Sequence, residues 1–381
     1  MKITIVMGFF LPVPPVAGGA VEKLWWRLAA IFAKRGHTVT ILSRAHPGWP
    51  EDEITHGVRV LRQKGWDHRA SLWQNLLLDA CWGIKALGTL PAADILVTNT
   101  VALPVFVRRL KPNAGLLVVN LNRFPKGQVR WYGGAARLQA ASSVIAAAVR
   151  AQAPALAGRL RVMPNPVNCR LFARAAQRPI SNPPLHIGYI GRIHPEKGLV
   201  SLIKAVVRLS RISDLPAWRL ILRGPVDVAH GGGGHDFIAG LRHLAPDLWA
   251  KGQIALASPL FDEAQLASAY QSLDLFCYPT EAEKGEAHPV AVLEAMAAGV
   301  PVIASNLPCF ADQLRNGANA LLVPPANPPA LADSLARLLG DAELRQQLAA
   351  SAQEQIWALD DEVIATQHLD DFAFLHSSSI S

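Results

Sequence analysis

Residues 185–198, LHIGYIGRIHPEKG, pass from a short apolar stretch into a turn bounded by Gly191 and Gly198, and an amphipathic segment follows at 199–209. Strand, glycine turn and helix in that order open a βαβ unit. The start of the chain repeats it: KITIVM at 2–7, Gly18-Gly19, an apolar-periodic segment at 21–34, a stop at Gly36-His37, and TVTIL at 38–42. Outward from these two cores, strands are expected at 95–98, 116–120 and 160–163, then at 219–222, 253–257, 273–278, 301–304 and 320–323. Helices are expected at 135–152, 289–298, 330–339 and 343–358. Residues 177–184, QRPISNPP, hold three prolines and read as a linker. The class is α/β, with two Rossmann-like, doubly wound parallel-sheet domains at 1–178 and 179–357. Two such domains imply a cleft between them, with ligands beyond the carboxyl ends of the strands.

Composition narrows the class. A hydrophobic fraction of 51% over 381 residues excludes global disorder. Cys81, Cys169, Cys277 and Cys309 are too scattered for a disulfide scaffold or a metal motif, and read as buried thiols of a reducing compartment. No apolar run reaches the ~20 residues of a membrane span. Lys2 followed by apolar residues 3–11 has the outline of a signal peptide, but Pro12, Pro14 and Pro15 interrupt it. The stretch serves better as a first strand and glycine loop.

Charge is unevenly spread. Residues 1–180 carry 24 Lys and Arg against 7 Asp and Glu, a net of +17; the rest carry 13 against 22, a net of −9. Such asymmetry suggests an anionic partner for the first half. Basic and aromatic residues interleave there at Arg59, Arg62, Lys64, Trp66 and Arg69, at Arg108, Arg109 and Lys111, and at Arg123, Phe124, Lys126, Arg130, Trp131 and Tyr132. Trp beside Arg suits a lipid headgroup interface, so an anionic membrane or a phosphate-bearing lipid-linked acceptor is expected. No nucleic-acid motif accompanies the charge.

Two constellations carry chemistry. In the Gly191–Gly198 turn, Arg192 offers a planar fork for phosphate oxygens and Lys197 a point charge. In EAHPVAVLEAMAAG, residues 286–299, Pro289 suits a first helical turn, which places Glu286 just before the helix and Glu294 on its second turn. The helix N-terminus favours an anion, and carboxylates accept hydrogen bonds from vicinal hydroxyls. Two cations for a diphosphate and two carboxylates for polyol groups describe a nucleotide-sugar site. His230 and His235 flank four glycines that make a flexible loop rather than a metal site. Glu51-Asp52-Glu53 reads as a charged loop.

With these residues the chain resembles the retaining GT-B glycosyltransferases of glycosyltransferase family four, the glycosyl transferases group 1. Gly18-Gly19-Ala20-Val21-Glu22, Arg35-Gly36-His37-Thr38-Val39-Thr40, the Gly191–Gly198 turn, the Glu286-x₇-Glu294 element running on to Ile303, and Asn316-Gly317 to Pro324 carry the likeness over nearly the whole chain. The resemblance implies that Arg192 and Lys197 hold the donor diphosphate, Glu286 the donor sugar and Glu294 the ribose, with Val290 beside them; His288 stands where relatives often have an aromatic or apolar residue and reads either as loop packing or as a further donor contact. It implies that Gly18 and Gly19 approach the donor phosphates and the acceptor from the other domain, and that a helix from about 358 to 381 crosses back to the first domain. The N-terminal domain would then bind acceptor and the C-terminal domain a UDP- or GDP-sugar, with no metal and no other cofactor. Front-face substitution with retained configuration is the implied course, acting on a glycan or lipid-linked glycan in cell-surface polysaccharide or glycolipid assembly. The implied location is cytoplasmic, peripheral on the inner face of the membrane.

The chain departs from the family where a His often follows an N-domain strand. Asn120 and Asn122 stand there, with Arg123 and Lys126 next, as candidate acceptor or sugar contacts. The alternatives are a non-catalytic GT-B scaffold, or another nucleotide-sugar enzyme such as an epimerase or hydrolase. A nicotinamide dehydrogenase is disfavoured, because neither first turn carries Gly-x-Gly-x-x-Gly.

Overall fold

The structure, a computed structural model, describes residues 1–381 apart from Ala17, Ala70, 174–182 and Ser381. Its contacts form two compact units, Met1–Pro166 with Asp361–Ser381, and Val167–Asp360. The expected boundary at 178/179 falls in a linker of which residues 177–182 lie outside the described residues. The chain instead changes unit after Pro166, because Val167 and the short helix after it are already tied to the second unit. Val167 donates its N–H to the Leu359 carbonyl at 3.0 Å, and Gln271 Nε2 donates to the Phe172 carbonyl at 3.1 Å.

The first unit contains strands β1 (Lys2–Val6), β2 (Thr38–Arg44), β3 (Asp52–Thr55), β4 (Val58–Gln63), β5 (Ile95–Thr98), β6 (Leu116–Leu121), β7 (Arg137–Ala140) and β8 (Leu160–Val162). Their order in the sheet is β3-β4-β2-β1-β5-β6-β7-β8, parallel except for the β3–β4 hairpin. Succession runs outward from β1 on one side and resumes at β5 on the other, so the topological switch lies between β1 and β5.

Two expectations fail here. Glu51-Asp52-Glu53 is no loop: residues 52–55 pair antiparallel to β4 across a turn at His56 and Gly57, both at positive φ. The segment 135–152 is not one helix. Residues 137–140 form a strand buried along its length between β6 and β8, and only Ser143–Gln152 is helical. A strand covered on both faces shows no alternation, so RLQA beside alanines reads as helical. The helices Leu72–Thr89 and Leu103–Leu110 are not among those expected from the sequence. Leu72, Trp73, Leu77 and Ile84 of the former are exposed, which blurs the helical period.

The helix Asp361–Ile380 belongs to this first unit and packs on Ala20–Lys34. Buried Arg137 of β7 meets Asp371 at 2.8 Å, Arg27 meets Asp361 at 2.9 Å, and half-exposed Arg35 meets Glu362 at 2.5 Å. His368 is enclosed by Trp25, Phe32 and Phe372, and burial pushes its imidazole down to about 3, so it is a neutral core residue.

The second unit is a six-stranded, wholly parallel sheet of β9 (Leu185–Ile190), β10 (Trp218–Arg223), β11 (Ile254–Ala257), β12 (Leu275–Tyr278), β13 (Val302–Ser305) and β14 (Ala320–Val323), in the order β11-β10-β9-β12-β13-β14. Its switch lies between β9 and β12. Among the described residues no helix is long and apolar enough to cross a membrane.

The docking of the last helix gives a graded prediction. Asp371→Ala strands a buried guanidinium and should cost about 3–5 kcal/mol, whereas Glu362→Ala should cost less than about 1 kcal/mol. Urea unfolding of both variants checks this; equal losses would contradict the assigned burial of the two pairs.

Candidate functional site

The two strands that flank the second switch deliver the two motifs. The Gly191–Gly198 turn leaves β9, and the segment from Pro279 to Pro289 leaves β12. The turns press together. Gly198 has a φ of 68°, and a Cβ there would lie 1.9 Å from the Pro279 carbonyl oxygen, so only glycine fits. This contact brings buried Lys197 against buried Glu286, and the two side chains form an ion pair. The same Glu286 oxygen, Oε1, accepts from Tyr278 Oη at 2.9 Å and Thr280 Oγ1 at 3.1 Å. Among the described residues no hydrogen bond ends on Oε2. Burial, with the Glu286 carboxylate second, raises the Tyr278 phenol well above its ordinary range.

Arg192 is more open. Its guanidinium donates to the Gly231 carbonyl at 2.8 Å and to Glu196 Oε1 at 2.5 Å, while Tyr189 Oη donates to the Arg192 carbonyl at 2.8 Å. Burial works to raise the Glu196 carboxyl, but Lys197 and Arg192 together hold it below the usual range. The glycine run is not a free loop. Gly233 N–H donates to the Ile193 carbonyl at 2.7 Å and Gly234 N–H to that of Val226 at 2.9 Å, so the run is packed beneath the Arg192 turn. Exposed His235 faces Asp227 at 3.4 Å, and no group of three metal-ligating side chains occurs among the described residues.

Glu294 is buried on the second turn of the helix Val290–Ala297, with Pro289 as its N-cap. It lies beside the Tyr270 phenol, which burial and then this carboxylate raise well above its ordinary range. Neither carboxylate is on a solvated face. His288 is buried as well; burial pushes its imidazole down to about 4 against the opposing pull of Asp312, so it is neutral at pH 7.

The first unit has its own cluster at the carboxyl ends of β1 and β6. Gly18 and Gly19 have φ of 84° and 92°, and Gly19 caps the helix Ala20–Lys34. A Cβ on Gly19 would meet Glu22 Oε2 at 2.2 Å. Glu22 is thus folded back over the glycine, and burial lifts its carboxyl to about 7 despite the backbone and nearby Arg123. Asn122 Nδ2 donates to Asn120 Oδ1, and Arg123 and Lys126 are exposed.

The second unit's expected residues therefore lie on the two segments that leave β9 and β12, while in the first unit Gly18 and Gly19 follow β1, Asn120 to Lys126 end or follow β6, and Arg123 lies near Glu22. The pairing of each cation with a carboxylate was not anticipated, nor were Glu196, Tyr278, Thr280 and Glu22. Signals existed: Glu196 is four residues from Arg192, Tyr278 and Thr280 end β12, and Glu22 sits at the third helical position, where a glutamate turns back on its cap.

Glu22 gives a pH prediction. A carboxyl whose folded pKa is raised from 4.5 to about 7 contributes stability below pH 4.5 that is lost as pH rises through 7. Between pH 4 and 8 the native chain should weaken by about 3 kcal/mol more than Glu22→Gln. Denaturant titrations at the two pH values measure this; parallel behaviour would contradict it.

Residues 173–355 match the family model described as glycosyl transferases group 1. Phosphatidyl-myo-inositol mannosyltransferase of Mycobacterium tuberculosis is 32% identical over 229 residues, 57% of this chain and 55% of that protein. The chain spans about half the length of the curated relatives it matches. Sucrose-phosphate synthase from Thermosynechococcus elongatus matches in structure at a TM-score of 0.79 and 20% identity, over 99% of this chain and 100% of that one. Anabaena HepE in complex with UDP-glucose matches at 0.71 and 18%, over 98% and 99%. The chain has the GT-B fold of two Rossmann-like units, and its residues 173–355 match the glycosyl transferases group 1.

Proposed function

We propose that the second unit binds a UDP- or GDP-sugar and that the chain transfers its sugar, with retained configuration, to a hydroxyl of a glycan or lipid-linked acceptor held by the first unit. The observation that carries this reading is the Lys197–Glu286 pair at the switch between β9 and β12, with Arg192 on the same turn. Cations and a carboxylate with one oxygen open meet the needs of a diphosphate and of sugar hydroxyls together. A relative named for mannosyl transfer to phosphatidyl-myo-inositol supports a lipid-linked acceptor, and a fold neighbour holding UDP-glucose supports the donor class.

In the proposed reaction the sugar's bond to the β-phosphate breaks as the acceptor oxygen approaches from the same face. Arg192, Lys197 and the N-terminus of the helix Val290–Ala297 stabilise the charge growing on the leaving diphosphate. These groups can neutralise it without a metal. Glu286 Oε2 accepts from a sugar hydroxyl, and Glu294 from the ribose. The leaving phosphate takes the acceptor proton. Neutral His288 lines the sugar side, and Val290 contributes its N–H. Asn120, Asn122, Arg123 and Lys126 belong to the acceptor side.

Membrane docking through the first unit is part of this proposal, on a surface narrower than the charge pattern suggests. Arg59 is paired with Asp52 and Arg62 with Glu53, Lys85 covers Trp66, Lys111 Nζ donates to the Leu87 carbonyl, and Tyr132 is buried. Exposed Trp73, Leu77 and Ile84, on a helix packed against Leu103–Leu110 with its exposed Arg108 and Arg109, form the better docking face.

Arg192→Ala should lower kcat/KM for donor about 10–100-fold with little change in stability. Lys197→Ala should do the same and also destabilise the fold, since it strands buried Glu286. In calorimetric titration, Glu286→Gln should leave nucleotide binding nearly intact while turnover falls, and Glu294→Ala should chiefly weaken nucleotide binding; the reverse pattern would show the roles misassigned. Co-sedimentation with anionic vesicles should occur at low salt, weaken at high salt, and fall in Trp73→Ser/Leu77→Ser. Binding indifferent to lipid charge would contradict the docking reading.

A further inference from the structure

Glu196 has no part in the reaction just described, yet its carboxylate lies at the heart of the cation site. Oε1 is 2.5 Å from Arg192 Nη2 and 3.5 Å from Lys197 Nζ. One anionic oxygen therefore lies between the two cations assigned to the diphosphate. The backbone beneath it is fixed, for the Glu196 carbonyl accepts from Glu281 N–H at 2.9 Å. The side chain is 33% exposed and can turn outward while that backbone stays in place. Arg192 keeps a second anchor at the Gly231 carbonyl and does not depend on Glu196 for its orientation.

Stability offers little reason for the carboxylate, because partly exposed i,i+4 pairs contribute only weakly. Ligand exchange offers a better one. A donor diphosphate bears two charges on its bridging phosphates. The nucleoside diphosphate left after transfer gains another on the freed terminal oxygen once the acceptor proton it took has passed to water, since a terminal phosphate is largely doubly ionised at pH 7. A bare pair of cations would therefore grip product more tightly than substrate.

We propose that Glu196 is a built-in competing anion, occupying the phosphate position between Arg192 and Lys197 and returning to it to speed release of the nucleoside diphosphate. This rests on the reading that these two cations bind a diphosphate. In that setting Glu196 is a positioning residue that acts through the cations, and its removal strengthens binding instead of weakening it.

The test is calorimetric titration of UDP and of GDP into the native chain, Glu196→Gln and Arg192→Ala, with product inhibition measured alongside. Glu196→Gln is expected to bind the accepted diphosphate about tenfold tighter, with a correspondingly lower inhibition constant and a lower kcat. Weaker or unchanged binding by Glu196→Gln, while the native chain binds and Arg192→Ala binds poorly, would overturn the proposal and make Glu196 a support for Arg192. If neither nucleotide binds the native chain, or Arg192→Ala binds as well as it does, the diphosphate reading itself falls and this proposal with it.

Discussion

The close approach of two turns, the one leaving β9 and the one leaving β12, is the constraint on which the site depends. Parallel strands that run outward from a central pair leave an opening at their carboxyl ends, and the absence of a side chain at Gly198 lets the turns touch across it. The rest of the site is a consequence of that contact. Lys197 is carried out of water, where its charge demands a partner, and Glu286 supplies it with help from Tyr278 and Thr280. Burial alone would make either charge untenable. Together they form a preorganised polar site in which one carboxylate oxygen has no hydrogen bond among the described residues.

Much of this was legible in the sequence because it depends on local pattern. Strand, glycine turn and helix recur at 2–42 and 185–209, and the structure places strands and helices there. The Glu286-to-Glu294 spacing across Pro289 put one carboxylate before the helix and one on its second turn, as found. Pattern failed where tertiary surroundings decide. Arg137–Ala140 is a strand because β6 and β8 lie on either side, a fact that RLQA does not announce. Asp52 and Glu53 form an edge strand because Arg59 and Arg62 stand across the hairpin. The helix Leu72–Thr89 has no clear period in the sequence because its exposed face is apolar too.

The site's charge balance was hidden for a related reason. Sequence names the cations and the carboxylates but not who meets whom. Taken separately, Arg192 and Lys197 look like free charges awaiting an anion; in the folded chain each already has one. On the proposed reading, binding is an exchange of partners, and affinity depends on what the cations give up as well as what they gain. Glu22 belongs with this lesson. Its place three residues after Gly19 was plain, but only burial over that glycine turns it into a group that titrates near neutrality.

The central claim is that a diphosphate occupies the space between Arg192 and Lys197. Comparing nucleoside diphosphate with nucleoside monophosphate affinity, for the same base, tests it most directly. The diphosphate should bind the native chain at least about tenfold tighter, and that advantage should vanish in Arg192→Ala. Equal affinities for the two nucleotides in the native chain would contradict the account.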